Sequence, residues 1–137
     1  MGGANLSMEQ EGLLCCFKVK RQSSQAARAV SGFLSLRYSL KNGASVALFG
    51  SRQETVDKAL AQLKSENPAW EVIGMAPDLT DYAALDAAFS EVENRFGRID
   101  ILVNNAGISA REPLYEYTPE AFQRIMDLNV TAVFNGC

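Results

Sequence analysis

Short apolar runs alternate with segments whose apolar residues recur at helical spacing through most of this chain. The runs predict strands, and the periodic segments predict amphipathic helices. Strands and helices that alternate in this way are typical of an α/β fold with a parallel sheet covered by helices on both faces. The predicted strands lie at about 45–50, 70–75 and 99–104, and the predicted helices at about 53–66, 81–96 and 119–135.

Residues that favour turns and caps mark the ends of these helices. Pro68 is expected to end the first helix, and Gly97 to terminate the second. Thr80 is expected to cap the start of the second helix. Thr118 and Pro119 open the third, with proline at the first helical position.

The segment before the first clear strand follows this pattern less well. Residues 33–40 are typical of the end of a helix, whereas residues 18–31 are polar and basic. We therefore divide the chain into an atypical N-terminal segment, residues 1–32, which is either disordered or mis-joined, and a partial α/β domain, residues 33–137. If the segment around 13–19 supplies no strand, the sheet has a gap in its middle.

Composition narrows the function classes. The 137 residues are 47% hydrophobic and 21% charged, which is ordinary for one globular domain. A net charge of −3 gives no indication of nucleic-acid or anionic-membrane binding. The chain has no histidine, which excludes histidine-based general base catalysis, Ser-His-Asp triads and most zinc sites. We expect no metal site.

Location is inferred from the termini and the cysteines. Cys15, Cys16 and Cys137 form no C-x-x-C pair, which favours reduced thiols in the cytoplasm. The N-terminus lacks the basic and apolar regions of a signal peptide. The apolar run at 13–17 is too short to cross a bilayer, so we expect no membrane partner.

The strongest motif is the run 101–107 (ILVNNAG), in which an apolar strand leads to two amides and a glycine. It follows 96–100 (FGRID) and precedes Asn129 and Val130. In combination these residues resemble the short-chain dehydrogenase/reductase family over about 36–135. The resemblance implies the N-terminal half of a Rossmann-like, doubly wound parallel sheet. It also implies reversible hydride transfer between NAD(P)(H) and a carbonyl or secondary alcohol.

The resemblance assigns Ser51 and Arg52 to the adenosine end of the cofactor. NAD-dependent relatives place an acid at the end of this strand, where it bonds the ribose hydroxyls. Here that position is Gly50, with Arg52 two residues later. A guanidinium can pair with a 2′-phosphate, so we expect NADP rather than NAD. The alternative is a solvated arginine at a helix start.

Two further strand ends match positions that contact the cofactor in the family. Asp78 and Leu79 match a pair beside the adenine ring, although an aspartate here also serves turn formation. Asn105, Ala106 and Gly107 match a close approach of the backbone to the nicotinamide ribose; the alternative is an ordinary asparagine-rich turn.

The family's glycine-rich phosphate loop is largely missing. Its glycine positions fall on Ala26, Val30 and Gly32, and only Gly32 matches. Glycines let the backbone approach the pyrophosphate, so Val30 would place a side chain in its way. There are two explanations. The protein has diverged from the family, or it is a fragment or a mis-joined gene product whose original N-terminal strand and loop were replaced. We favour the second explanation, because both ends fail to match while the middle fits.

Asn129 is the candidate catalytic residue. It falls on the apolar stripe formed by Phe122, Ile125, Met126 and Val133, where an unpaired buried amide would cost about 1–3 kcal/mol. It should therefore have a partner or a task. The resemblance implies that it holds a water that relays protons to a catalytic lysine. The alternative is a structural amide that bonds neighbouring backbone.

The chain stops at Cys137, before the family's catalytic serine and Tyr-x-x-x-Lys pair. We therefore expect the cofactor-binding half of an oxidoreductase, without measurable turnover and with weak or absent NADP(H) binding by itself, so whether this chain is an enzyme stays open. A catalytically dead nucleotide-binding or interaction module is the alternative. The full-length parent would act on a small carbonyl or alcohol and form a homo-oligomer.

Overall fold

The computed structural model describes residues 14–18, 32–109 and 113–137. Its strands are β1 (Leu14–Lys18), β2 (Ser45–Phe49), β3 (Val72–Met75) and β4 (Ile101–Asn104). Its helices are α1 (Gly32–Lys41), α2 (Gln53–Glu66), α3 (Tyr82–Phe96), α4 (Pro119–Met126) and α5 (Ala132–Gly136). A π-helical turn, Asp127–Thr131, joins α4 to α5, and a short 3-10 turn covers Leu114–Glu116. The strand and helix positions expected from the sequence are confirmed within a few residues. The candidate glycine loop positions Ala26 and Val30 lie outside the described residues.

The four strands form one sheet in the order β3-β2-β1-β4. β2 and β3 are parallel, and β1 is antiparallel to both β2 and β4. The three strands expected from the sequence therefore run in one direction, as a doubly wound fold requires. The middle position is filled from within the N-terminal segment expected to be atypical, by a strand that runs the opposite way.

Both faces of the sheet carry helices. Side chains alternate between the two faces of a strand. On β2, Ala47 and Phe49 pack into the core formed with α3 and α5, and Val46 and Leu48 pack into the core formed with α1 and α2. The doubly wound arrangement is confirmed in this part of the fold.

The helix ends follow capping chemistry, with one correction. Asp81, not Thr80, caps α3, because its carboxylate accepts a hydrogen bond from the backbone N–H of Ala83 at 2.9 Å. Thr80 lies one residue earlier, in the turn. Gly97 ends α3 in the left-handed conformation at φ 81°, and Thr118 caps α4.

Helix α2 packs unusually close to the sheet. A Cβ atom built on Gly74 of β3 would lie 2.4 Å from Cγ1 of Val56, and one built on Gly50 would lie 2.8 Å from Cγ2 of the same valine. Real Cβ atoms do not approach this closely. The two glycines therefore allow Val56, which is 1% exposed, to fill the space beside the ends of two strands.

Candidate functional site

The carboxyl ends of β2, β3 and β4 lie at one edge of the sheet, since the three strands share a direction. Each strand leads there into one of the candidate segments: 50–52, 78–79 and 105–107. The first two strand ends are joined directly, because the N–H of Gly50 donates to the carbonyl of Met75 at 3.1 Å. Ligands of open α/β sheets bind at this edge.

Asp78 makes a tight turn after β3. One carboxylate oxygen accepts hydrogen bonds from the hydroxyl of Thr80 at 2.7 Å and from its backbone N–H at 2.9 Å. The hydroxyl bond, and then the backbone bond, hold the pKa of Asp78 below its usual value. Leu79 is 7% exposed and points into the core on the α3 side. The turn chemistry expected as the alternative for Asp78 is thus present.

Asn129 pairs with backbone in the loop after β4. Its Oδ1 accepts from the N–H of Ile108 at 2.8 Å, and its Nδ2 donates to the carbonyl of Ile108 at 2.8 Å. A carboxamide has two lone pairs on its oxygen and two N–H donors, so each amide atom keeps one further hydrogen-bond position. The structural amide role is therefore present, and solvent or another ligand can still bond this side chain.

The expectation that Asn129 lies on a buried apolar stripe is wrong, because Asn129 is exposed and Phe122 is 49% exposed. Asn129 sits inside the π-helical turn, where the N–H of Ala132 donates to the carbonyl of Asp127 five residues earlier. The extra residue in such a turn rotates later positions by about 100° relative to an α-helix. A stripe counted at regular helical spacing is therefore displaced. Single π-helical turns occur frequently at functional sites.

Gly107 lies against Asn129. A Cβ atom on Gly107 would be 3.2 Å from the Oδ1 of Asn129, so the amide and the glycine backbone are close neighbours. Asn105 is exposed beside them, and Ala106 is partly buried. The structure thus brings the candidate residues after β4 together with Asn129.

Asn104 is the first of the two amides in the 101–107 motif, but it was not expected to contact the cofactor. Its Oδ1 is buried and has no hydrogen-bond partner among the described residues, and its Nδ2 lies 3.7 Å from the Sγ of Cys137. It lines a small cavity of about 10 Å³, the lower limit for one water molecule. The other lining residues are Leu79, Ala106, Leu128, Ala132 and Val133. The adjacent asparagines signalled a site, but Leu128, Ala132 and Ile108 carry no distinctive sequence signal.

The remaining candidates lie at helix starts. Gly32 is the first residue of α1. Ser51 and Arg52 are exposed between β2 and α2, and the carbonyl of Arg52 accepts a hydrogen bond from the N–H of Thr55. In the described ranges no three side chains are arranged to ligate a metal. No helix among those ranges has the length and apolarity needed to span a bilayer.

A family profile and a sequence relative both indicate the same protein family. The sequence profile described as short chain dehydrogenase matches residues 32–137. The chain is 54% identical over 104 residues to a 3alpha-hydroxysteroid dehydrogenase of Mediterraneibacter gnavus, covering 76% of this chain and 42% of that protein.

Solved structures agree in fold. A short chain dehydrogenase from Mycobacterium smegmatis aligns with a TM-score of 0.69 at 28% identity, covering 80% of this chain and 46% of that one. The 3-ketoacyl-(acyl-carrier-protein) reductase of Brucella melitensis, complexed with NADH, aligns with a TM-score of 0.67 at 28% identity, over 76% and 41%. The chain therefore spans less than half the length of these relatives.

Proposed function

Because the chain belongs to the short-chain dehydrogenase family, which uses a nicotinamide dinucleotide, we propose that it is the cofactor-binding half of an NADP(H)-dependent oxidoreductase. The whole protein would interconvert a carbonyl and a secondary alcohol of a small molecule. One observation carries this proposal: three parallel strands end at one edge and place there the segments 50–52, 78–79 and 105–107. Such an edge is where open α/β sheets bind their ligands.

The preference for NADP over NAD rests on Gly50 and Arg52. A Cβ at Gly50 would lie 2.8 Å from Cγ2 of Val56, so an acid at this position would require the Val56 side chain to shift. Because residue 50 is a glycine, this position carries no carboxylate that would repel a 2′-phosphate. The exposed guanidinium of Arg52 is two residues away and can form a charge-assisted hydrogen bond to a phosphate.

The substrate class comes from the relative in Mediterraneibacter gnavus. Since that protein is named a 3alpha-hydroxysteroid dehydrogenase, a 3-keto or 3α-hydroxy steroid is the first substrate to test. No tyrosine of this chain has a lysine four residues after it, so we assign turnover to the whole protein. Within the chain, we propose that Asn129 keeps its bonds to Ile108 and uses its free positions to hold a proton-relaying water.

We further propose a cytoplasmic location and a homo-oligomeric whole protein. The cysteine pattern without C-x-x-C pairs supports the first. Exposed apolar side chains along α4, the π-helical turn and α5 support the second, with Phe134 80%, Val130 51% and Phe122 49% exposed. Side chains of this kind are enriched in protein interfaces.

A transplant tests the proposed function. Residues 32–137 would replace the matching segment of the Mediterraneibacter gnavus dehydrogenase, and the hybrid would be assayed for reduction of a 3-ketosteroid with NADPH and with NADH. We expect turnover with a preference for NADPH, and we expect Arg52→Ala to weaken NADPH binding about tenfold, the effect of one charge-assisted hydrogen bond.

Arg98→Ala is the matched control, because Arg98 precedes β4 at the opposite edge of the sheet. It should leave cofactor binding unchanged. A hybrid that unfolds cooperatively but shows no turnover, or uses both cofactors equally, would overturn the proposal. An Arg52→Ala hybrid with full NADPH affinity would do the same for the role of Arg52.

A further inference from the structure

Strand β1 enters the sheet in the direction opposite to its neighbours. From this we infer that the described strand β1 and helix α1 are not placed to form the direct strand-to-helix turn on which the pyrophosphate of a dinucleotide binds. The inference rests on the proposed function only for the identity of the ligand. It concerns where the backbone of β1 begins and ends relative to the start of α1.

The strand pairing fixes the two ends of β1. Leu14 lies opposite Phe49 and Asn104, the last residues of β2 and β4, so β1 begins at the carboxyl edge of the sheet. Lys18 lies opposite Ser45, the first residue of β2. β1 therefore ends at the edge opposite the candidate segments.

Helix α1 begins toward the carboxyl edge of the sheet and runs to the amino edge. Its carboxyl end is closed by the N–H of Ala44, which donates to the carbonyl of Ser39 at 3.0 Å, and β2 begins at the next residue. Leu36 and Leu40 of α1 are buried in one cluster with Val46 and other residues of that face, so the helix lies along the sheet. Its first residue, Gly32, is therefore directed toward the carboxyl edge.

These positions separate two elements that the pyrophosphate site needs side by side. In dinucleotide-binding folds the first strand turns directly into a helix, and the N–H groups of that glycine-rich turn hold the phosphates. Here β1 ends at the amino edge, and residues 19–31 connect it to a helix that starts toward the other edge. The residues fit the adenosine and nicotinamide ends of the cofactor but do not fit its centre.

The direction of β1 can be measured without a ligand. In an antiparallel pair, Cα atoms of facing residues approach to about 4.5 Å at alternate positions, which gives strong contacts between Hα protons in NMR spectra. With residues 1–137 labelled, we expect such contacts from β1 to both β2 and β4, including the end pairs of Leu14. Contacts that place Leu14 beside Ser45 and Ile101 would overturn the inference.

A titration tests the consequence for binding. NADPH and inorganic pyrophosphate would be added separately to the labelled chain while its backbone amides are followed. We expect no saturable shift in the first turn of α1 with either probe. In a matched variant, residues 1–31 are replaced by the corresponding segment of the Mediterraneibacter gnavus relative. That variant should show saturable shifts in the first turn of α1 and bind NADPH at least about tenfold more tightly.

The two proposals fail separately in this experiment. Saturable shifts at Gly32 in the unmodified chain would overturn the inference. It would also be overturned if the unmodified chain and the variant both bind NADPH with equal affinity. A variant that binds NADH better than NADPH would leave the inference standing and refute the cofactor assignment. A third outcome is that neither protein binds NADPH, while β1 is antiparallel to β2 and β4 and the unmodified chain shows no shift. This outcome supports the inference and counts against the proposed function.

Discussion

Asn129 and Ile108 are joined by two reciprocal hydrogen bonds, in which the side-chain amide of Asn129 pairs with both backbone groups of Ile108 at 2.8 Å. The pair connects the π-helical turn to the loop that follows β4, across 21 residues of chain. A carboxamide carries an acceptor and a donor on separate atoms, so one side chain can bond both the N–H and the carbonyl of the same residue. One side chain therefore joins Ile108, in the loop after β4, to the π-helical turn.

Replacing Asn129 by alanine should loosen this loop. Two solvent-exposed hydrogen bonds are lost, so we expect the free energy of unfolding to fall by about 1 kcal/mol. Hydrogen exchange at the amide of Ile108 should accelerate by more than the global change explains. Gln62→Ala, at an exposed position of α2, is the control. Unchanged exchange at Ile108 in the Asn129 variant would contradict this assignment.

Much of the fold could be predicted because local patterns agree with the packing. Helix α2 spans Gln53–Glu66, as its apolar periodicity and the following Pro68 indicated, and β2 lies where a short apolar run follows a turn. The position of Gly97 after α3 also gave a correct helix end. Each of these signals is a pattern of residues close together in the sequence.

Other features depend on information that a sequence pattern does not hold. An apolar run alternates with the same period in both directions, so nothing local indicated that β1 would be antiparallel. The π-helical turn around Asn129 contains one extra residue, which a count at regular helical spacing does not anticipate. By contrast, Thr80 and Asp81 are adjacent and are both N-cap residues, and the preference for aspartate over threonine indicated the residue that caps α3.

The Asp78 turn should make stability depend on pH. The pKa of Asp78 is lowered in the folded chain by the hydroxyl and backbone of Thr80, so its ionised form stabilises the fold above the unfolded pKa of about 3.9. That contribution is lost as the pH falls through the folded pKa. Asp78→Asn should therefore reduce stability at about pH 7, and the difference should shrink at about pH 2.5.

Urea denaturation at the two pH values measures this dependence. Thr80→Val should lower the pH dependence, because it removes the first of the two hydrogen bonds to Asp78. Asp86→Asn, an exposed carboxyl change on α3, serves as the control. A difference between Asp78→Asn and the unmodified chain that is the same at both pH values would disprove the assignment.

The contact between Gly74 and Val56 should couple the two positions. A Cβ at Gly74 would lie 2.4 Å from Cγ1 of Val56, so Gly74→Ala should destabilise the chain by about 1–3 kcal/mol through overpacking. Val56→Ala alone should also destabilise it, by leaving a cavity. The double variant should be more stable than the sum of the two changes predicts. Strict additivity in a double-mutant cycle would show that α2 and the sheet move apart instead.

Replacing Ser39 by alanine should increase the stability of the fold. Its side chain is 1% exposed, and its hydroxyl has no hydrogen-bond partner among the described residues. Ser39→Ala removes this unpaired group and improves helix propensity, so we expect stability to rise by about 1 kcal/mol. Ser65→Ala, at an exposed position of α2, is the control: it makes the same propensity change but removes a hydroxyl that donates to the carbonyl of Gln62. A loss of stability in the Ser39 variant would reveal a partner for its hydroxyl.

The middle position of β1 has a consequence for the order of folding. Leu14 faces Asn104, a partner made 90 residues later in synthesis, since 104 − 14 = 90. β2 and β3 need only the intervening helix in order to meet, whereas β1 must wait for β4 before both of its edges are paired. Distant pairings of this kind slow folding and leave strand edges open to other chains. Until β4 emerges, the growing chain is therefore most exposed to misassembly at its own centre.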